Sequence, residues 1–74
     1  MFNGAKLREL RENHHLNTHE FAHEIGISQT LLSFYERNLR DPKADMISRM
    51  AQYFKVPVGD LFIIETGGSP RVGD

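Results

Sequence analysis

A glycine in the first half of the chain, Gly26, separates two stretches that each have the apolar spacing of a short helix. Glycine readily takes a left-handed backbone conformation, which ends a helix and lets the chain turn. Before it, Asn17 and Glu20 stand three positions apart, which is the spacing of a capping box at the start of a helix. The pattern predicts a helix over Thr18–Ile25 that stops at the glycine.

The stretch after Gly26 predicts a second helix over residues 28–37. Ser28 is a suitable N-cap for it, and Asn38 tolerates the left-handed conformation that would end it. Two helices joined by a short turn that contains glycine follow the helix-turn-helix plan.

Helical spacing recurs on both sides of this unit and predicts an all-α domain of five helices. The first helix covers Gly4–Asn13, the fourth covers Ala44–Phe54, and a short fifth covers residues 57–61. We expect one helix-turn-helix domain over residues 1–62 and a C-terminal tail over residues 63–74. The last part of the tail, GGSPRVGD, is rich in glycine, serine and proline, a composition that favours disorder.

Composition narrows the class of protein. A chain of 74 residues makes one domain with one small core. The absence of cysteine excludes a disulfide framework and a thiolate zinc site. The chain has no apolar run of about 18 residues, and its start lacks the apolar core of a signal peptide, so we expect a cytoplasmic protein. The formal net charge of -1 does not by itself indicate a nucleic-acid binder, so any basic surface must come from an uneven distribution of charge.

Residues at positions 4–62 match one family in type and spacing: Gly4, Leu7, Leu10, Arg11, Leu16, Glu20, Phe21, Ala22, Ile25, Gly26, Ile27, Ser28, Gln29, Leu32, Ser33, Tyr35, Glu36, Arg37, Asp41, Pro42, Ile47, Met50, Ala51, Phe54, Val56, Leu61 and Phe62. On these residues the chain resembles the Cro/CI-type (XRE-like) helix-turn-helix repressors of phages and bacteria. The resemblance implies a five-helix, lambda-repressor-like DNA-binding domain whose third helix enters the major groove.

The resemblance also implies a function. We expect sequence-specific binding of double-stranded DNA in transcription regulation, as a repressor that acts as a homodimer on a two-fold operator. No cofactor, enzymatic activity or small-molecule ligand is expected. A regulating partner would be another protein, either an effector or an antirepressor.

The outward side of the third helix supplies the expected base-reading residues Gln29, Thr30, Ser33 and Phe34. Gln29 lies at the N-terminal end of the helix, where base edges are read, and glutamine can pair bidentately with adenine. Apart from the resemblance, the three polar residues would be ordinary exposed residues. Leu31 and Phe34 depart from the family, which mostly carries polar or basic residues at both places. We expect Leu31 to pack in the core, while an exposed Phe34 leaves DNA contact, protein contact and partial burial open.

Five residues are expected at DNA phosphates: Asn17, Thr18, Arg37, Arg40 and Lys43. The N-terminus of the second helix offers unpaired backbone N–H groups and the positive end of the helix dipole. Thr18 stands where the family usually has glutamine, so a contact there would be weaker or made by the backbone. For Arg40 and Lys43 the alternative is that they are solvated charges.

The resemblance pairs Arg11 with Glu36 in an ion pair between the first helix and the end of the third. Such a pair, if it is partly buried, fixes the register of two helices more than it adds stability. The alternative is two solvated charges, because exposed pairs are weak.

Past the family core lies a short apolar run, Phe62, Ile63 and Ile64. In the resembled family this region often serves dimerisation, so these residues are candidates for a two-fold contact. The alternative is that they close the core of the monomer.

The alternative function on the same fold is that of a protein-interaction module. It would be an antitoxin-like protein or a partner of a repressor, and it would bind through Leu31, Phe34 and the tail. The near-neutral charge and the apolar residues of the third helix favour it, while Gln29, Thr30 and the loop cations favour DNA.

Residues 19–23 read HEFAH and so match HExxH, the motif of zinc proteases. A catalytic zinc needs three protein ligands and a water, and no histidine follows His23 in the sequence. Glu20 also has a structural role, as the second residue of the capping box. We therefore expect neither proteolysis nor a functional metal site here; what remains is weak binding of a transition metal at the surface by His19 and His23.

Overall fold

The computed structural model describes residues 1–63, which form four α-helices and one 3-10 helix: α1 (Gly4–Asn13), α2 (Thr18–Ile25), α3 (Gln29–Glu36), α4 (Ala44–Phe54) and the 3-10 helix Val58–Leu61. The all-helical class is confirmed over these residues. The predicted fifth α-helix is a 3-10 helix of four residues instead. The chain is already extended at Phe62, so this segment is too short for a ladder of α-helical hydrogen bonds.

The ends of α2 and α3 are fixed by the residues that the sequence indicated. Asn17 Oδ1 accepts from the Glu20 N–H at 2.7 Å, and Glu20 Oε1 accepts from the Asn17 N–H at 2.9 Å. Gly26 is left-handed, with φ of 79°. Ser28 Oγ accepts from the Leu31 N–H at 3.0 Å. The capping box and the turn of the helix-turn-helix unit are therefore confirmed.

One core draws on every helix. Its buried apolar residues are Phe2, Leu7, Leu10, Phe21, Ala22, Ile25, Leu32, Tyr35, Ile47, Met50, Ala51, Phe54 and Leu61. Each of these short helices is too brief to be stable alone in water, so burial of this shared face is what holds them.

The N-terminal residues belong to this core, which sequence reasoning missed. Phe2 is 1% exposed, and its ring meets the ring of Tyr35 edge to face at 6.5 Å between centroids. An antiparallel bridge pairs Phe2 with Phe62, and the Asn3 N–H donates to the Leu61 carbonyl at 2.8 Å. The two residues before α1 are too few to show a periodic pattern, so only the long-range pairing reveals that Phe2 is buried.

Asn38 ties the C-terminal end of α3 to the N-terminus of the chain. It has a left-handed φ of 58°, as predicted, and its side chain bridges two backbone groups. Asn38 Oδ1 accepts from the Gly4 N–H at 2.8 Å, and Asn38 Nδ2 donates to the Phe2 carbonyl at 2.6 Å. The Gly4 N–H is one of the first N–H groups of α1, which have no partner within the helix.

An ion pair at the same end of α3 joins it to α1. Arg11 Nε donates to Glu36 Oε2 at 2.7 Å, Arg11 Nη2 donates to Glu36 Oε1 at 3.2 Å, and Arg11 Nη1 donates to the Leu16 carbonyl at 2.8 Å. The two side chains are only 9% and 6% exposed. The two parallel hydrogen bonds satisfy both buried charges and tie the end of α3 to α1.

We predict that Gly4→Ala destabilises the protein by about 1–3 kcal/mol, the usual cost of overpacking. A β-carbon at Gly4 would collide with the backbone carbonyls of Tyr35 and Glu36 and with Asn38 Oδ1. The control is Gly59→Ala, because a β-carbon there meets nothing within 4 Å. Urea denaturation measures the free energy of unfolding of both variants; equal values would contradict the close approach at Gly4.

Candidate nucleic-acid interface

The N-termini of α2 and α3 meet at one surface. Gln29, the first residue of α3, is exposed, and its Nε2 donates to Thr18 Oγ1 at 2.7 Å. Thr18 is the first residue of α2, so this hydrogen bond joins the starts of the two helices. The sequence suggested separate roles for the two residues and did not reveal that they touch. The bond restricts the rotamers of Gln29 and leaves its amide oxygen and second amide hydrogen for a ligand.

The rest of α3 divides into an inner and an outer side as its periodicity predicts. Leu32 and Tyr35 are buried against the core. Thr30 is exposed and Ser33 is half-buried, and both lie on the side away from the core. Arg37, the C-cap residue of α3, is also exposed. The outer side thus presents small polar groups that can donate and accept hydrogen bonds.

Phe34 is half-buried, which is one of the three outcomes that the sequence left open. After Asn38 the chain turns back, and the Leu39 N–H donates to the Phe34 carbonyl at 2.9 Å. The loop therefore lies against the last turn of α3, a proximity that helical periodicity alone does not include. Leu31 is partly buried and packs against the core, as predicted.

Two groups of cations lie on α1 and near the end of α3, while Arg49 lies on α4 and Lys55 directly follows that helix. On α1, Lys6 contacts Glu9 at 3.7 Å, Arg8 contacts Glu12 at 3.0 Å, and Arg11 is held by Glu36. The second group, at the end of α3 and in the loop after it, is exposed and makes no salt bridge within residues 1–63: Arg37, Arg40 and Lys43. A chain with a net charge of -1 thus keeps a set of unneutralised cations close to α3.

An open cavity of about 310 Å³ lies between α3, this loop and α4. Its lining combines an apolar floor with two cations and two carboxylates: Leu31, Tyr35, Met46, Arg40, Lys43, Asp41 and Asp45. Arg40 and Lys43 therefore border the same recess beside α3.

The start of α2 is less free to bind an anion than its sequence indicated. The capping box occupies the side-chain oxygen and the backbone N–H of Asn17, and it places the Glu20 carboxylate at this helix end. Among the described residues, the N–H groups of Thr18 and His19 have no acceptor. They and the amide nitrogen of Asn17 are the donors that remain for a phosphate.

At the C-terminal edge of the described residues, Phe62 and Ile63 are 37% and 40% exposed. Leu61, which precedes them, is fully buried in the core. Ile64 and the remainder of the tail lie outside the described residues. Met1 stands beside Ile63, whose N–H donates to the Met1 carbonyl at 2.8 Å, and it is also exposed.

Two further findings concern residues 1–63. None of the helices there combines the length and the apolarity that a membrane span needs. No group of three or more histidine, aspartate and glutamate side chains in this part of the chain is arranged to hold a metal ion. The HExxH residues lie on α2, where His19 and His23 are both exposed.

Comparison with known proteins identifies relatives of this arrangement. The sequence profile of a helix-turn-helix family matches residues 7–61. The cryptic phage CTXphi transcriptional repressor RstR of Vibrio cholerae is 32% identical over 57 residues, which are 77% of this chain and 51% of the relative. An uncharacterized HTH-type transcriptional regulator of Mycobacterium tuberculosis is 35% identical over 60 residues, which are 81% of this chain and 43% of the relative.

A third relative is matched over nearly its whole length. It is an uncharacterized HTH-type transcriptional regulator of Methanocaldococcus jannaschii, 30% identical over 60 residues, which are 81% of this chain and 91% of the relative. The chain spans about half the length of the first two relatives. The matched region contains α2, the turn at Gly26 and α3 together with most of the core. The chain therefore belongs to the Cro/CI-type (XRE-like) family of helix-turn-helix domains.

Proposed function

We propose that this chain is a sequence-specific, double-stranded DNA-binding transcription regulator, and that it acts as a repressor. The observation that carries the proposal is the exposed Gln29 at the start of α3, oriented by its hydrogen bond to Thr18. The N-terminal residues of the second helix of such a unit are the ones that contact base edges. The name of the Vibrio cholerae relative, a transcriptional repressor, supports the direction of regulation.

In this proposal α3 enters the major groove and its outer side reads the bases. Gln29 pairs with adenine, Thr30 and Ser33 hydrogen bond to base edges, and Thr30 also contacts a thymine methyl group. The half-buried Phe34 contributes the exposed part of its ring to the apolar contact. A glutamine held in one orientation loses less side-chain entropy on binding than one that is free.

Phosphate contacts flank α3 on two sides. Arg37, Arg40 and Lys43 are exposed and lack acidic partners within the described part of the chain, so binding DNA would not require breaking an internal ion pair. The unpaired donors at the start of α2, from Asn17 and Thr18, hold a second phosphate. Such contacts set register and affinity without reading sequence.

We predict that Arg40→Ala/Lys43→Ala weakens binding to all duplexes alike and flattens the dependence of log affinity on log salt by about one unit per lost contact. Fluorescence anisotropy with a random duplex measures this slope. Lys6→Ala/Arg8→Ala removes the same formal charge from α1, where both side chains are already paired. Equal slopes in the two double variants would show that net charge alone matters and would contradict the assignment.

A second prediction concerns base reading. Once an operator has been selected from a random library, Gln29→Ala should lose about 1–3 kcal/mol of discrimination at one base pair. Thr18→Val removes the hydroxyl that orients Gln29, so it should lose a smaller part of the discrimination at that same base pair. Gln52→Ala, an exposed glutamine on α4, is the matched control. Full discrimination by Gln29→Ala would show that another residue reads this base.

The regulator acts as a homodimer on a two-fold operator in the cytoplasm. Supporting this, Phe62, Ile63 and Met1 leave apolar surface exposed together at one end of the domain. We assign the dimer contact to Phe62 and Ile63, continued by Ile64 in the tail. A protein effector or antirepressor would act by covering α3 or by separating the two copies.

We predict that Ile63→Lys weakens self-association, because a charge placed in an apolar contact loses its hydration. Sedimentation equilibrium measures self-association of the protein alone. The same method counts the chains bound to a duplex with two half-sites, and we expect two chains per duplex. Leu39→Lys is the control, since Leu39 is 61% exposed but lies in the loop after α3. A wild-type chain that binds that duplex singly would contradict the dimer.

The protein-interaction module on the same fold receives less support. Leu31 is packed against the core and Phe34 is half-buried, so α3 offers less apolar surface than the sequence suggested. An absence of DNA binding even at low salt would revive this alternative.

A further inference from the structure

The HExxH residues of α2 lie in a place that the proposed function leaves without a role. His19 and His23 are four positions apart on one helix and line one open cavity of about 240 Å³ between α2 and α3. The rest of this lining comes from α2, the turn and the start of α3: Ala22, Ile27, Ser28 and Gln29. We propose that His19 and His23 form a two-imidazole site for a divalent transition-metal ion, Zn²⁺ or Cu²⁺, in this cavity.

The helix fixes the spacing of the two ligands. Residues four apart on a helix have β-carbons about 5–6 Å from each other on the same face, which is how HExxH brings two imidazoles to one ion. Both residues are exposed, so their rings can turn toward a common point without unpacking the core. An ion bound there bridges two successive turns of α2.

Both rings are also available. Neither the His19 ring nor the His23 ring hydrogen bonds to another described residue, so no side-chain bond has to break. The neighbouring His14 differs, since its Nδ1 lies 2.9 Å from the Leu10 carbonyl and its ring packs against Phe54 at 4.8 Å between centroids. His15 lies in the turn after α1 with a left-handed φ of 59° and does not line the cavity.

The ligand count sets the type of site. Structural zinc takes four protein ligands and catalytic zinc takes three. Within residues 1–63 no third histidine or carboxylate joins His19 and His23 in a metal-binding group, so the chain supplies two ligands. Water completes the coordination, so the ion exchanges readily and does not hold the fold together. Imidazole ligands bind Cu²⁺ more tightly than Zn²⁺, and the affinities should follow that order.

A bound ion would also act on the proposed interface, and this step rests on the proposed function. Gln29 and Ser28 line the same cavity, so the ion adds positive charge next to the starts of α2 and α3. Those helix ends are the ones that we assign to DNA. Occupancy of the site should therefore tighten binding to duplex DNA severalfold at low salt and less at high salt, where charge is screened.

The first test needs no DNA. Isothermal titration of the untagged, full-length chain with Cu²⁺ and with Zn²⁺ should give one ion per chain. His19→Gln and His23→Gln should each abolish that binding, while His15→Asn, which suits a left-handed backbone, should retain it. Circular dichroism verifies that each variant is folded. Absence of binding by the wild type, equal binding by His23→Gln, or equal loss in His15→Asn would overturn the site.

A second measurement tests the effect on DNA separately. Anisotropy with a random duplex should show a severalfold gain in affinity when Zn²⁺ is added to the wild type and no gain for His23→Gln. If metal binds the free chain and the affinity for DNA does not change, the coupling is wrong while the site stands. Failure of every variant to bind DNA, with normal metal titrations, would overturn the proposed function and this coupling but leave the metal site intact.

Discussion

The structure depends on how the C-terminal end of α3 is anchored. Glu36 and Arg11 form a bidentate ion pair that is almost fully buried. Two residues after Glu36, the side chain of Asn38 hydrogen bonds to the backbone of Phe2 and of Gly4. An eight-residue helix does not hold its shape alone, so these bonds and the buried Leu32 decide where α3 lies. Buried polar groups accept few alternative arrangements, because leaving any of them unpaired is costly.

Anchoring one end leaves the other end of α3 available. Its first residues are exposed, and Gln29 is steadied by Thr18 rather than by the core. The cations near α3 differ from those of α1 in the same way. The cations of α1 form ion pairs with acidic residues of the chain, while those beside α3 form none among the described residues. A chain of almost zero net charge can therefore carry a basic surface, since a field at short range follows local charge.

α2 has several roles, and the requirements of these roles conflict at its N-terminus. Glu20 completes the capping box, which stabilises the helix but also puts a carboxylate near donors that would otherwise hold an anion. The two histidines on its outer face lie next to the cavity at the turn and leave the capping and the core unaffected. This separation of faces lets one short helix support the fold, border the proposed DNA-facing surface and present the two proposed metal ligands.

The sequence by itself determined the four α-helices and the caps of α2 and α3, because capping, left-handed glycine and asparagine, and apolar periodicity act within a few residues. It also indicated the family and the pairing of Arg11 with Glu36. Only the tertiary structure decided the burial of Phe2, the partial burial of Phe34, the contact of Thr18 with Gln29 and the short 3-10 form of the last helix. The burial of Phe2 and the contact of Thr18 with Gln29 join separate segments of the chain, whose approach is set by packing of the whole core rather than by any local preference. Phe34 lies beside the loop that follows α3, and the 3-10 helix ends where the chain becomes extended at Phe62.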